Sequence, residues 1–179
     1  MMRSTGRTFD DAGELIVPLN AQLQLPLDAI MVMGLTELAL HSWDVYVAFD
    51  PNVEVGSYAA DLLVDQYPRE IISMVASRLV AGRLGKAALR VDIGSSRRTL
   101  VMTFADSVIL ETADPGNEPA CTGHLRLPTS GAWARLLTGR LDDDHMPSDI
   151  TSTGTPTLHE LRTLLQGDPM STGDAELSP

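Results

Sequence analysis

The hydrophobic period changes near residue 85, and that change constrains the fold more than any other feature of the chain. Before it, apolar side chains recur at helical spacing; from residue 87 they alternate with polar ones. The segment from Pro26 to Phe49 carries Ile30, Met33, Leu35, Leu38, Val45 and Phe49 at positions that fit one long helix, apolar around much of its circumference. Pro26 suits its first turn, and "DPN" at 50–52 ends it. A helix that apolar has to be covered on most sides. A second helix is predicted over 57–66, with Ser57 as N-cap, and a third over 68–84, beginning "PREIISMVASRL". Residues 1–14 carry no periodic pattern and read as a flexible lead-in, and 168–179 as a disordered tail.

After the change, "AALRVDI" (87–93), "TLVMTF" (99–104), "SVILET" (107–112) and "CTGHLRLP" (121–128) predict four half-buried strands, the first two joined by the polar turn "GSSRR". "TSGAWARLLTGRL" (129–141) places Trp133, Leu136, Leu137 and Leu141 on one helical face, with Thr129 or Ser130 as N-cap. "DDDHMPSD" is an acidic loop and "ITST" a short strand. "TPTLHELRTLLQG" is a closing helix with Thr155 as N-cap, Pro156 at its first position and Gly167 at its stop. The expected class is α+β: a helical unit over 15–84, then an α+β domain over 85–167 with a small, mainly antiparallel sheet.

Charge and cysteine content narrow the function. The formal net charge is −11, against a nucleic-acid or anionic-membrane surface, since both require clustered Lys and Arg. Cys121 is the only cysteine, which rules out an internal disulfide or a thiolate cluster and favours a reducing, cytoplasmic setting. The first residues lack the apolar stretch of a signal peptide. The most apolar run is interrupted by Glu37, His41 and Asp44, which would be costly in lipid.

Those three residues are the chemistry of the first half. At about 100° per residue, Glu37, His41, Asp44 and Ala48 fall within an arc of roughly 60°. Glu and His at i and i+4 can bind one divalent metal, and an Asp further along can orient the imidazole. The same pair also serves as a hydrogen-bonded pair on a helix surface. A catalytic zinc takes three protein ligands and an open position, so two donors are an incomplete set. Trp43 and Tyr46 read as packing residues.

"ELALHSWDVYVAF" resembles the last bundle helix of the mycothiol-dependent maleylpyruvate isomerase family, a branch of the DinB-like metal-binding four-helix bundles with the pattern E-x-x-x-H followed closely by W-D. "LRLPTSGAWARLLTGRL", with the short strand and final helix after it, is similar to that family's sterol-carrier-like C-terminal domain. The resemblance runs from about residue 14 to 167. It implies that Glu37 and His41 are ligands to a divalent metal, usually zinc, completed by a histidine from an earlier bundle helix. Asp44 would stand beside them in the catalytic site. The metal would hold the sulfur of mycothiol as a thiolate, whose attack on a cis double bond permits rotation. The family's first three bundle helices have no counterpart here, so the chain reads as a partial, N-terminally truncated bundle lacking the third ligand and impaired alone. Arg140, in "LLTGR", is the candidate for a functional arginine contributed by the C-terminal domain. Its alternative role is to donate to helix C-terminal carbonyls or to Asp142, Asp143 and Asp144.

The remaining candidates read as structural. His124 faces outward beside Arg126, His145 sits in a solvated acidic loop, His159 lies on the exposed face of the last helix, and Cys121 is a core or strand-end residue. Two functions are therefore expected. One is a metal- and thiol-dependent isomerase or transferase acting on a small molecule. The other is a non-enzymatic small-ligand-binding or protein-interaction module that forms a homodimer through the apolar surface left by the missing helices.

Overall fold

The alternating segments of the second half form one five-stranded sheet. In a computed structural model that describes residues 15–18, 24–66, 86–105, 108–113 and 119–166, strands β3 (Ala87–Ile93), β4 (Arg98–Phe104), β5 (Val108–Thr112), β6 (Gly123–Leu127) and β7 (Thr151–Gly154) lie in the order β5-β4-β3-β6-β7. β3 runs parallel to β6, and the other three pairings are antiparallel. Alternation sorts the side chains: Leu89, Val91, Leu125 and Leu127 are fully buried on one face, while Arg90, Asp92, His124 and Arg126 point to the other. There the Asp92 carboxylate accepts from His124 Nε2 at 2.7 Å and from Thr99 Oγ1 at 2.7 Å.

The β6–β7 edge requires two glycines in register, Gly123 opposite Gly154. A Cβ at Gly123 would stand 2.7 Å from the Thr155 carbonyl oxygen. One at Gly154, where φ is +72°, would collide with that of Thr122.

Four helices accompany the sheet among the described residues: α1 (Leu27–Tyr46), α2 (Ser57–Gln66), α3 (Ser130–Leu137) and α4 (Leu158–Gln166). The chain is thus α+β, with four helices among the described residues and a mixed, mainly antiparallel sheet. α3 starts where Thr129 Oγ1 accepts from the Ala132 amide at 3.0 Å, and all eight of its residues are buried. Ser130 Oγ donates to Asp61 of α2 at 2.5 Å, which locks the two helices together. Trp133, Leu63, Leu40, Trp43 and Leu161 join the sheet's inner face in one continuous cluster.

Several expectations are corrected at the level of caps and faces. α4 begins at Leu158, not Pro156, because Thr157 and Glu160 form a reciprocal capping box: Thr157 Oγ1 accepts from the Glu160 amide, and the Glu160 carboxylate accepts from the Thr157 amide at 2.7 Å. Ser57 is the first helical residue, and the carbonyl of Gly56 accepts the first helical bond, from Ala60. Among the described residues α1 is not covered on most sides. It buries Val32, Thr36, Leu40 and Trp43, while Met31, Leu38, Val45 and Tyr46 are half or more exposed, so Tyr46 is not the packing residue expected. A short hairpin, β1 (Ile16–Pro18) with β2 (Gln24–Pro26), precedes α1; its three-residue strands carry too little alternation to be read from sequence. The helix expected over 68–84, the lead-in 1–14 and the tail 168–179 lie outside the described residues.

Candidate functional site

Glu37, His41 and Asp44 form an exposed row along α1, as their spacing requires. His41 Nε2 lies 3.6 Å from a Glu37 carboxylate oxygen, and its Nδ1 lies 3.3 Å from Asp44 Oδ2. Arg140 comes to the row from the other half of the chain. Its Nε donates to Asp44 Oδ1 at 2.9 Å and its Nη2 to Asp44 Oδ2 at 3.1 Å, a two-pronged pair. The four residues therefore run in one line, Glu37 to His41 to Asp44 to Arg140, so the arginine reaches α1 rather than the neighbouring acids. Asp143 is instead met by Arg162 at 2.5 Å.

The end of α3 explains how Arg140 is aimed. Gly139, at φ +73°, takes the left-handed conformation that closes the helix. The Arg140 amide donates to the Arg135 carbonyl at 2.7 Å and the Gly139 amide to that of Leu136 at 3.2 Å, the paired bonds of a Schellman stop. The side chain after the glycine then leaves the helix toward α1. The Arg140 hydrogen bonds hold the Asp44 carboxyl below its usual range, against a smaller opposing effect of burial; His41 adds to the lowering.

Beneath this row lies a second group. Trp43 is buried, with its Nε1 donating to the Val53 carbonyl at 2.9 Å. Arg135 is 2% exposed and sits 4.9 Å over the Trp43 ring, with Nη1 donating to the His145 carbonyl at 2.7 Å. The His145 ring meets Trp43 edge-on at 5.7 Å, and its Nδ1 lies 2.8 Å from Asp142 Oδ1. His145 is therefore tucked against α1 rather than solvated in an acidic loop. Burial lowers the Arg135 pKa, opposed by the charges of Glu54 and Asp142. Its Nε has no hydrogen-bond partner among the described residues. Arg135, His145, Glu54, Val53, Thr129 and Asp149 line a cleft of about 460 Å³. Sequence reasoning missed Arg135 because a charged residue inside "AWARLL" carries no pattern that marks it as buried.

The row fits part of a metal site. Two ligands about 2.0–2.1 Å from a tetrahedral zinc stand about 3.4 Å apart, close to the 3.6 Å between Glu37 and His41. Asp44 is engaged by Arg140, and among the described residues no group of three or more His, Cys, Asp and Glu side chains could hold a metal ion. The residues present thus supply two corners and do not complete the set. His124 and His159 are exposed and distant in role: His124 pairs with Asp92, and His159 lies on the outer face of α4. Cys121 is an exposed residue just before β6, its thiol donating to the Pro119 carbonyl at 3.4 Å. Among the described residues no helix is long and apolar enough to cross a membrane.

Among solved structures, the chain is similar to the stereoselective inverting sec-alkylsulfatase Pisa1 from Pseudomonas sp., at 15% identity and a TM-score of 0.44 over 59% of this chain and 17% of that one. A double mutant of that sec-alkylsulfatase gives 15% identity and 0.42 over 53% of this chain and 16% of that one. The UbiJ-SCP2 ubiquinone synthesis protein gives 15% identity and 0.38 over 54% of this chain and 85% of that one. The chain spans less than a fifth of either alkylsulfatase, and likenesses this distant carry nothing about substrate. No protein-family model and no curated protein matches the chain, so the maleylpyruvate isomerase resemblance stands on its motif residues alone.

Proposed function

We propose that the chain is a divalent-metal-binding relative of the mycothiol-dependent maleylpyruvate isomerases, built from the last helix of a DinB-like bundle and a sterol-carrier-like domain. Glu37 and His41 supply two ligands to zinc or a similar ion, and Asp44 and Arg140 line the site. The observation that carries the reading is the line from Glu37 through Asp44 to Arg140, which joins the two motif segments that the resemblance rests on. When bound, such a metal stabilises a thiolate at neutral pH. The roles of the chain's own residues follow from their chemistry. Asp44 accepts from the guanidinium and fixes the orientation of the His41 ring through Nδ1, leaving Nε2 toward Glu37 and the outside. Activity on a small molecule, with mycothiol as co-substrate, requires further donors beyond these two. Isothermal titration with zinc tests the reading: saturable uptake by the wild type that disappears in His41→Ala supports it, and absence of uptake, or uptake indifferent to His41→Ala, refutes it.

A second reading is favoured by the cleft over Arg135. A buried arginine lining a 460 Å³ cleft suits a small ligand carrying an anionic or carbonyl oxygen, held without catalysis. Ligand binding that survives His41→Ala and fails in Arg135→Met would favour this module over the enzyme.

A further inference from the structure

We infer that α1 docks antiparallel against α1 of a second copy of this chain. Met31, Leu35, Leu38, Ser42 and Val45 follow one another at alternating intervals of four and three residues, and Phe49 stands four further on, in the turn after the helix. That mean spacing of about 3.5 is the period of a two-helix seam. Met31 is 50% exposed, Leu35 36%, Leu38 67%, Val45 59% and Phe49 84%. The helix's contacts with its own chain lie on another face, through Val32, Leu40 and Trp43, so among the described residues nothing covers the stripe.

Two observations name a second copy as the occupant. The seam reads the same in both directions: with a twofold axis near Leu40, Met31 meets Phe49, Leu35 meets Val45 and Leu38 meets Ser42, each larger side chain opposite a complementary one. The area also suffices: the exposed parts of the stripe and Tyr46 come to about 600 Å² per copy, or about 1,200 Å² for the pair, the lower bound of specific interfaces. Antiparallel helix dipoles add a small favourable term.

The pairing sets the Glu37 and His41 of each copy beside the axis, so the second copy would bring the donors that the metal reading lacks. The inference does not rest on that reading, and its test is run in EDTA. In a Cys121→Ser background, the full chain is expected to sediment at twice 19.3 kDa, over a range of about 5–200 µM by mass action. Leu38→Glu, at an exposed position, is expected to be monomeric with an unchanged circular dichroism spectrum. On oxidation, Ser42→Cys is expected to form a disulfide-linked dimer. Met31→Cys is not, because antiparallel copies hold position 31 about 27 Å from its mate along the axis. A wild type that stays monomeric at every concentration overturns the inference, the stripe then being covered by the chain itself or by a different partner. So does a dimer indifferent to Leu38→Glu, or cross-linking at position 31 as efficient as at 42, which would mean a parallel pair.

Discussion

The link between the two halves of the candidate site is the Asp44–Arg140 pair, and its strength can be measured. The pair is two-pronged, with side-chain exposures of 38% for Asp44 and 23% for Arg140, so solvent screens it in part. Exposed ion pairs contribute about 0.2–1 kcal/mol and two-pronged, partly buried ones lie at the upper end. A double-mutant cycle of Asp44→Ala, Arg140→Ala and the double variant, read by urea melting at pH 7, should therefore give a coupling of about 1 kcal/mol. For a chain of this size that corresponds to about 2–4 °C in Tm. The coupling should also titrate. Because the folded Asp44 pKa lies below 3.8, its contribution is complete above the unfolded value and is lost as pH falls through the folded one. A cycle repeated at an acid pH below the ordinary carboxylate range should then show a reduced coupling. A coupling at pH 7 within error of zero, or one equal at both pH values, would refute the line of contacts on which the site is built.

Other consequences follow from single positions. Gly139→Ala replaces the left-handed stop of α3 and should cost about 1 kcal/mol; it should also weaken the Asp44–Arg140 coupling, so an undiminished coupling in that background would contradict the account of how Arg140 is aimed. Gly154→Ala forces a Cβ toward the Thr122 carbonyl at positive φ and should destabilise by about 2 kcal/mol or more in urea melts; a loss below about 0.5 kcal/mol would mean the β6–β7 edge relaxes freely. Trp43→Phe leaves the Val53 carbonyl without its donor and should cost about 1–3 kcal/mol, with faster amide exchange at 144–149; unchanged exchange there would show that the loop is held by something other than Trp43.

The sequence made the fold legible where one period dominates. "AALRVDI" alternates cleanly and became β3 at the expected residues, and "SYAADLLVDQ" became α2. The cap of α4 was misplaced because Thr155, Pro156 and Thr157 each carry a helix-start signal, and only the reciprocal bond with Glu160 selects Thr157. The exposed face of α1 could not be read from its composition, since an apolar stripe looks the same whether its cover lies in the chain or elsewhere. Within the site, the spacing of Glu37, His41 and Asp44 on a helix was sufficient to place them together. Arg140 was singled out only through the resemblance of "LLTGR", while its approach to Asp44 and the stacking of Arg135 and His145 on Trp43 depend on tertiary contacts that no local pattern encodes.

Cobalt(II) spectroscopy reads metal binding at Glu37 and His41 directly, because cobalt substitutes for zinc and its visible spectrum reports coordination number and thiolate ligation. The wild type titrated with cobalt should develop a visible spectrum distinct from that of aqueous cobalt, and adding a small thiol should bring a thiolate charge-transfer band in the near ultraviolet; both should be absent in His41→Ala. A spectrum that remains that of aqueous cobalt, with or without thiol, would contradict the account and leave Glu37, His41 and Asp44 as a charged helix face.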